Sequence, residues 1–252
     1  MGVAVLLKQV PDTTAKISVT EGRVDEASIT KWSISPYDEY ALENAIKLKD
    51  AGFGEVVAIT CGPVRSSRCL TEAAAVGADK LVHLVTDAST MDSTQVQALL
   101  SEAVKASECE LVMCGKQAAD TNSGSTGPGV AVALGYSCVG AVTEVSVEGG
   151  VVSATRLGPS GLEEVEVELP CVFTFDKGNT ELRRPNVRGI MMAKKKPIES
   201  LSPDELGVDT NNSMVRGESH SAPPEKPPGQ KFTGSESVPE VICKLRDEAG
   251  VI

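Results

Sequence analysis

The chain reads as an α/β protein organised around a parallel sheet with helices on both faces. Short, almost wholly apolar runs recur at residues 3–7, 56–60, 81–85 and 111–114. Strands apolar at every position belong to parallel sheets whose two faces are both covered. Longer segments with apolar residues at helical spacing separate them, so strand and helix alternate. Beyond Gly135 the texture changes to apolar–charged alternation broken by glycine-rich turns, the mark of antiparallel strands with one wet face.

Val3-Ala4-Val5-Leu6-Leu7 is the first strand; the N-terminus has no basic region and turns polar too soon for a signal peptide. Ser35-Pro36-Tyr37-Asp38 opens the first helix. Ser35 suits the N-cap, Pro36 the first helical position, and Asp38 three residues on completes a capping box. Ala41, Leu42, Ala45, Ile46 and Leu48 give that helix its apolar side. Residues 56–60 form the second strand, and Cys61-Gly62-Pro63 turns into a helix bearing Leu70, Ala73, Ala74 and Val76 that stops at Gly77. Residues 81–85 form the third strand, with His83 as a packed strand residue rather than a catalyst. A helix over 92–107 sets Val96, Leu99, Leu100, Ala103 and Val104 on one side, and Leu111-Val112-Met113-Cys114 is the fourth strand. A further helix over 130–134 ends at Gly135. Antiparallel strands follow at 142–147, 151–157 and 164–169, with turns at Gly149-Gly150 and Gly158-Pro159-Ser160-Gly161, and 172–175 returns to the main sheet. From Pro197 the composition shifts to Pro, Gly and Ser, including Pro223-Pro224 and Pro227-Pro228, until Val241-Ile242-Cys243-Lys244-Leu245. This segment is either a solvated linker or an arm laid on another subunit and pinned by that last short helix.

Composition excludes several classes. At 252 residues the chain can bury one large or two small cores. No run of about 18 apolar residues is present to span a membrane, and a net charge of −11 argues against general nucleic-acid binding. Seven cysteines lack Cys-x-x-Cys spacing, and Cys61, Cys114 and Cys171 sit in or beside apolar runs. They read as buried thiols of a reducing, cytoplasmic compartment. Two histidines, His83 and His220, cannot build a His-rich metal site, and no metal is expected.

The most informative run is Gly115-Lys116-Gln117-Ala118-Ala119-Asp120-Thr121-Asn122-Ser123-Gly124-Ser125-Thr126-Gly127-Pro128-Gly129. A strand, a loop of glycines and hydroxyls, then a helix start leaves backbone N–H groups unpaired at the positive end of a helix dipole, which suits a phosphate. It is neither a P-loop, since Lys116 precedes the glycines, nor a Gly-x-Gly-x-x-Gly fingerprint. On these residues alone an ordinary connection between strand and helix remains open.

Six segments in order carry a family resemblance. They are Val5-Leu6-Leu7-Lys8-Gln9-Val10-Pro11-Asp12, Ser33-Ile34-Ser35-Pro36-Tyr37-Asp38-Glu39-Tyr40-Ala41-Leu42-Glu43 and Ala58-Ile59-Thr60-Cys61-Gly62-Pro63, then Val76-Gly77-Ala78-Asp79, Cys114-Gly115-Lys116-Gln117-Ala118 and Ile190-Met191-Met192-Ala193-Lys194-Lys195-Lys196. Together they resemble the beta (small) subunits of electron transfer flavoproteins over essentially the whole chain. The resemblance implies an adenine-nucleotide α-hydrolase-like fold over 1–196, with antiparallel hairpins over 141–170, and a C-terminal arm over 197–252 packing on a larger alpha subunit. It implies a non-catalytic half of a heterodimeric electron carrier, with the working FAD held mainly by alpha and a structural AMP in beta. The matching positions are Leu6, Ser35 to Asp38, Cys61, and the loop from Gly115 to Thr126. Leu6 and Cys61 are expected as an apolar floor and Ser35-Pro36-Tyr37 beside the adenine. Phosphate capture falls to Asn122, Ser123, Ser125 and Thr126.

The resemblance also makes residues 183–189 a docking loop for partner dehydrogenases, with Val187 as the apolar anchor and Arg183, Arg184 and Arg188 steering an acidic partner. Electrons then come from an acyl-CoA dehydrogenase or similar flavoenzyme and leave to a membrane quinone oxidoreductase or another acceptor. Some members are electron-bifurcating and hold a second FAD where others hold AMP. Their loop commonly reads Asp-Gly-Asp-Thr-Ala-Gln-Val-Gly-Pro, and Asp120 to Pro128 keeps its frame but lacks the second Asp and the Gln. The AMP-type loop also matches in part, and AMP is the preferred reading. From other classes, an adenylating enzyme of the same general fold would need a Ser-Gly-Gly-x-Asp-Ser type loop, which is missing; a free-standing nucleotide sensor would be stable without alpha.

Overall fold

The computed structural model describes residues 2–87, 91–149, 151–178, 180–225 and 228–252. Gly150 of the expected 149–150 turn and Pro227 of the second proline pair lie outside the described residues. In chain order the elements are β1 (Gly2–Leu7), β2 (Gln9–Pro11), β3 (Val19–Thr20), β4 (Arg23–Val24), β5 (Trp32–Ile34), α1 (Pro36–Asp50), β6 (Glu55–Gly62), α2 (Ser67–Val76), β7 (Lys80–Val85), α3 (Ser93–Ala106), β8 (Leu111–Gly115), α4 (Thr126–Leu134), β9 (Ser137–Glu148), β10 (Val151–Gly158), β11 (Gly161–Glu168), β12 (Cys171–Phe175), α5 (Val187–Ala193), β13 (Glu199–Leu201) and α6 (Val238–Asp247).

A nine-stranded sheet in the order β11-β10-β9-β12-β8-β1-β6-β7-β13 is the middle layer. Every neighbouring pair from β9 to β13 is parallel, and β9-β10-β11 is an antiparallel meander. The expected antiparallel extension is therefore continuous with the main sheet, because β12 returns between β8 and β9. β1 shows why its run is apolar throughout. Val3, Val5 and Leu7 enter a core with Ala41 and Ala45 of α1 and Leu70 and Ala73 of α2. Ala4 and Leu6 enter the opposite core with Leu99 and Ala103 of α3 and Val130 of α4. Each fully buried Val or Leu contributes about 1.5–3 kcal/mol.

The chain passes from β1 to β6 and β7 on one side, then crosses through α3 to β8 on the other flank of β1. Such a reversal opens a crevice beyond the carboxyl ends of the strands. Local signals set the helix boundaries. Asp92 and Gln95 form a reciprocal capping box at α3, and Gly135 ends α4 in the left-handed region at φ 71°. His83 is a buried strand residue with Nε2 3.1 Å from the Gly62 carbonyl oxygen.

Two sequence expectations fail here. The capping box at Ser35 and Asp38 does not form. Ser35 makes no side-chain cap bond, its buried Oγ has no partner among the described residues, and Asp38 turns to more distant amides. Residues 126–129 are helical rather than loop, so α4 begins before the expected 130. A Cβ on Gly127 would run into Thr174 and lie 2.9 Å from Cys114 Sγ, so glycine there lets α4 sit close on β8 and β12.

The segment after 197 is not uniform. β13 first adds an edge strand beside β7, and Leu201, Leu206 and Val208 pack on the α3–α4 side of the core. No described residue beyond 208 is buried. Hydrogen bonds tie that stretch back to the sheet domain: the Met214 and Val215 amides donate to Asp92 Oδ2 at 2.6 and 3.3 Å, and the His220 amide donates to the Gly22 carbonyl at 2.7 Å. α6 carries Val238, Ile242 and Leu245 on one exposed side. At the far margin, Glu164, Glu166 and Glu168 of β11 stand opposite Thr155, Ser153 and Val151 of β10. No helix of the described residues is long and apolar enough to cross a membrane.

Candidate functional site

A cavity of about 380 Å³ opens at the topological reversal. Leu6 from β1, Cys61 from β6, Met91, Val96 and Leu100 from α3 and its approach, and Cys114 from β8 form an apolar half. Lys8, Asp38, Asp92, Ser93, Lys116, Gln117, Thr121, Ser123 and Thr126 form a polar half. An apolar pocket with a few convergent polar groups is the usual form of a small-molecule site. Burial pushes the Cys61 thiol up to about 12 and raises Cys114 further in the same direction. Both stay protonated at neutral pH and act as apolar surface.

Asp38 fastens the site. Its Oδ2 accepts the Lys8 amide at 2.8 Å and its Oδ1 accepts the Gly115 amide at 2.8 Å. One carboxylate thus ties the start of α1 to the ends of β1 and β8. Gly115 is glycine for the same reason: a Cβ there would sit 2.5 Å from Asp38 Oδ1 and 2.7 Å from Tyr37 Cβ. Loss of hydration in the buried site pushes the Asp38 carboxyl up to about 7, against the pull of the two amides.

That shift has a definite sign. The folded protein keeps the Asp38 proton to about pH 7, whereas an unfolded aspartate releases it near about 3.9. The contribution is fully present below the unfolded value and is lost as pH rises through the window up to about 7. Melting temperature followed from pH 4 to pH 8, as a difference between wild type and the non-titrating Asp38→Asn, should move against the wild type across this window. A pH-independent difference would refute it.

The loop after β8 supplies an anion site. Ser125, the N-cap of α4, makes no side-chain cap bond, so the first N–H groups of α4 are left for a ligand beside the Ser123 and Thr126 hydroxyls. The start of α3 is different, because Asp92 already caps it. The two lysines are offset by carboxylates. Lys8 Nζ lies 2.8 Å from Asp120, and Lys116 Nζ lies 2.8 Å from Asp176 and 5.0 Å from the centroid of the Tyr37 ring. Asn122 is in the left-handed region at φ 52°, and its Oδ1 accepts from Gln117 at 2.9 Å.

Of the sequence-derived positions, the fold brings Leu6, Asp38, Cys61, Gly115, Lys116, Gln117, Ala118, Thr121, Ser123, Gly124 and Thr126 to one cavity wall. It does not bring Ser35, Pro36, Tyr37, Ala119, Asp120, Asn122 or Ser125 to that wall. Ser35 is wholly buried behind α1, and Asp120 acts through its pair with Lys8. Met91, Val96 and Leu100 add apolar surface to this wall that the sequence reading did not place there. Sequence reasoning missed Leu7, Lys8, Cys114 and the Met91-Asp92-Ser93 approach. The signal for the last was the Asp-x-x-Gln cap after an apolar strand, which places a helix start at the carboxyl edge of the sheet.

The stretch 183–189 divides in two. Arg183 is committed to the fold: its guanidinium reaches Glu43 at 3.0 Å and Asp50 at 3.1 Å. From Val187 onward the chain is helical, capped by Asn186 Oδ1 accepting the Gly189 amide at 2.7 Å. A Cβ on Gly189 would lie 2.5 Å from the Ala75 carbonyl, so α5 packs closely on α2. The outer side of α5 leaves Val187 74% exposed, with Met191 and Met192 also in solvent.

A family model described as electron transfer flavoprotein domain matches residues 25–206. The chain is 33% identical to electron transfer flavoprotein subunit beta of Bacillus subtilis, with all of both chains covered. It is 32% identical to the human subunit beta over 97% of this chain and 96% of the relative. The mitochondrial subunit beta of Arabidopsis thaliana is 32% identical over the whole of both chains.

Proposed function

The chain belongs to the electron transfer flavoprotein family as a beta subunit, and on that premise we propose that its cleft holds one AMP as a structural ligand. Membership implies electron transfer by a carrier and an alpha-subunit partner. The finer reading is that FAD, held mainly by alpha, carries the electrons while this chain supplies a fixed base. In that reading no residue is needed as acid, base or nucleophile.

The observation that carries the AMP reading is the uncapped start of α4 facing an amphipathic cleft. Leu6, Cys61, Met91, Val96 and Leu100 offer an apolar slot for a base, and α4 with Ser123 and Thr126 offers donors for one phosphate. At about 380 Å³ the cavity lies near the lower end of ligand pockets, which run from about 300 to 1,000 Å³. That size, and lysines already matched by carboxylates, suit a mononucleotide rather than a second FAD. The test is mass spectrometry of the supernatant after denaturing the purified heterodimer. One AMP and one FAD per heterodimer are expected. Two FAD without AMP would replace this reading by the bifurcating form, and no adenine nucleotide beyond the alpha FAD would remove the cleft assignment.

Docking of an acyl-CoA dehydrogenase or similar flavoenzyme falls to Val187 at the start of α5, with the exposed Arg184 and Arg188 beside it. A quinone oxidoreductase or another acceptor then takes the electrons. One Val inserted in a partner pocket contributes about 1.5–3 kcal/mol, which suits a carrier that must release its donor.

A further inference from the structure

A second cavity, of about 310 Å³, lies between α1 and α2, away from the nucleotide cleft. Ile34, Leu42 and Val76 give it an apolar floor, and Glu39 and Glu72 stand at its rim. The chain segment 182–185 closes one side and leads directly into Val187. The carboxylates are not equivalent. Glu43 is taken by Arg183, and Glu72 pairs with Arg68 at 3.0 Å on an exposed helix face. The Glu39 carboxylate makes no ion pair or side-chain hydrogen bond among the described residues. Partial loss of hydration in the groove, followed by the neighbouring Glu72 and Asp12 carboxylates, holds its carboxyl above the ordinary value although the residue as a whole is exposed. A cation placed here would offset the repulsion among these carboxylates.

We propose that this groove seats one Lys or Arg side chain of the electron-donating protein, its stem on Ile34, Leu42 and Val76 and its charge against Glu39 and Glu72. Lysine and arginine have this divided character, an aliphatic stem that buries on apolar surface under a charged head. A partner protein is the occupant because Pro185 of the groove wall stands two residues before Val187 at the start of α5, and the free Glu39 carboxylate calls for a cation. The inference rests on the docking reading given above, and adds a polar anchor that selects partners by the sign of one residue.

The test uses the assembled heterodimer and an acyl-CoA dehydrogenase that reduces the wild type. Glu39→Gln, and more strongly Glu39→Lys, should raise KM for the dehydrogenase by about 3–10-fold at low ionic strength, with the difference vanishing at high salt. Glu39 is exposed in the first turn of α1, so melting temperature serves as the control for folding. Val187→Ala separates the two readings. If Val187→Ala raises KM and Glu39→Lys does not, the groove proposal falls while docking on α5 stands. If neither raises KM, both fall. If Glu39→Lys dissociates the heterodimer, the groove faces alpha and the proposal is overturned.

Discussion

Replacing Asp38 by Ala should destabilise the protein by about 2–3 kcal/mol and release the proposed AMP from the cleft. The carboxylate is the acceptor for the amides of Lys8 and Gly115, at the ends of two adjacent strands. Each buried amide left without a partner costs about 1–3 kcal/mol. Part of that is recovered, because the variant no longer buries a carboxyl that burial has pushed up to about 7. The net falls in the lower half of the summed range and corresponds to a melting temperature lower by roughly 5–10 °C. The cleft should lose its ligand as well, since Lys8 and Gly115 both line the cavity and lose their common tether. Thermal melts of the heterodimer and nucleotide content after gel filtration measure the two effects. A loss below about 1 kcal/mol with nucleotide retained would mean that water replaces the carboxylate and the tether is dispensable.

Arg183→Ala is the second large effect. Glu43 has only 6% of its side chain exposed and depends on Arg183 for its counter-charge. Removing one member of a buried pair costs about 3–5 kcal/mol. The Arg183 side chain is 34% exposed, so water reaches part of the site and the expected loss is about 2–3 kcal/mol. The double variant Arg183→Ala, Glu43→Gln should recover most of it, because no bare carboxylate then remains. Arg183→Lys should not, since an ammonium cannot reproduce the guanidinium fork that also reaches Asp50. The same experiment decides what Arg183 is for. A residue that steers a partner would alter the salt dependence of electron transfer and leave the melting temperature unchanged; the pairing geometry gives the opposite outcome.

The sequence disclosed what is written in local pattern. Apolar runs located the central strands because both faces of the sheet are covered, and Gly77 and Gly135 marked helix ends where backbone of positive φ demanded glycine. Asp38 shows where local pattern misleads. Its spacing from Ser35 spells a capping box, yet its true partners lie 30 and 77 positions away, and only the assembled sheet brings them within reach. Arg183 is of the same kind, since its partner Glu43 is 140 positions distant and nothing near it foretells a buried pair. Met91 and Ser93 were hidden for another reason. Their residue types are ordinary, and they join the cavity only because α3 begins at the carboxyl edge of the sheet. Pro197 marked a true change of composition, but β13 lies beyond it, since three residues suffice to add an edge strand and carry little signal.

The row of glutamates along β11 bears on how the protein behaves in company. An outermost strand offers unspent backbone donors and acceptors on which another chain can build. Glu164, Glu166 and Glu168 line that rim, so two copies meeting rim to rim bring like charges together before any ladder can form. The acidity that argued against nucleic-acid binding thus guards the open border of the sheet against fibre-like growth.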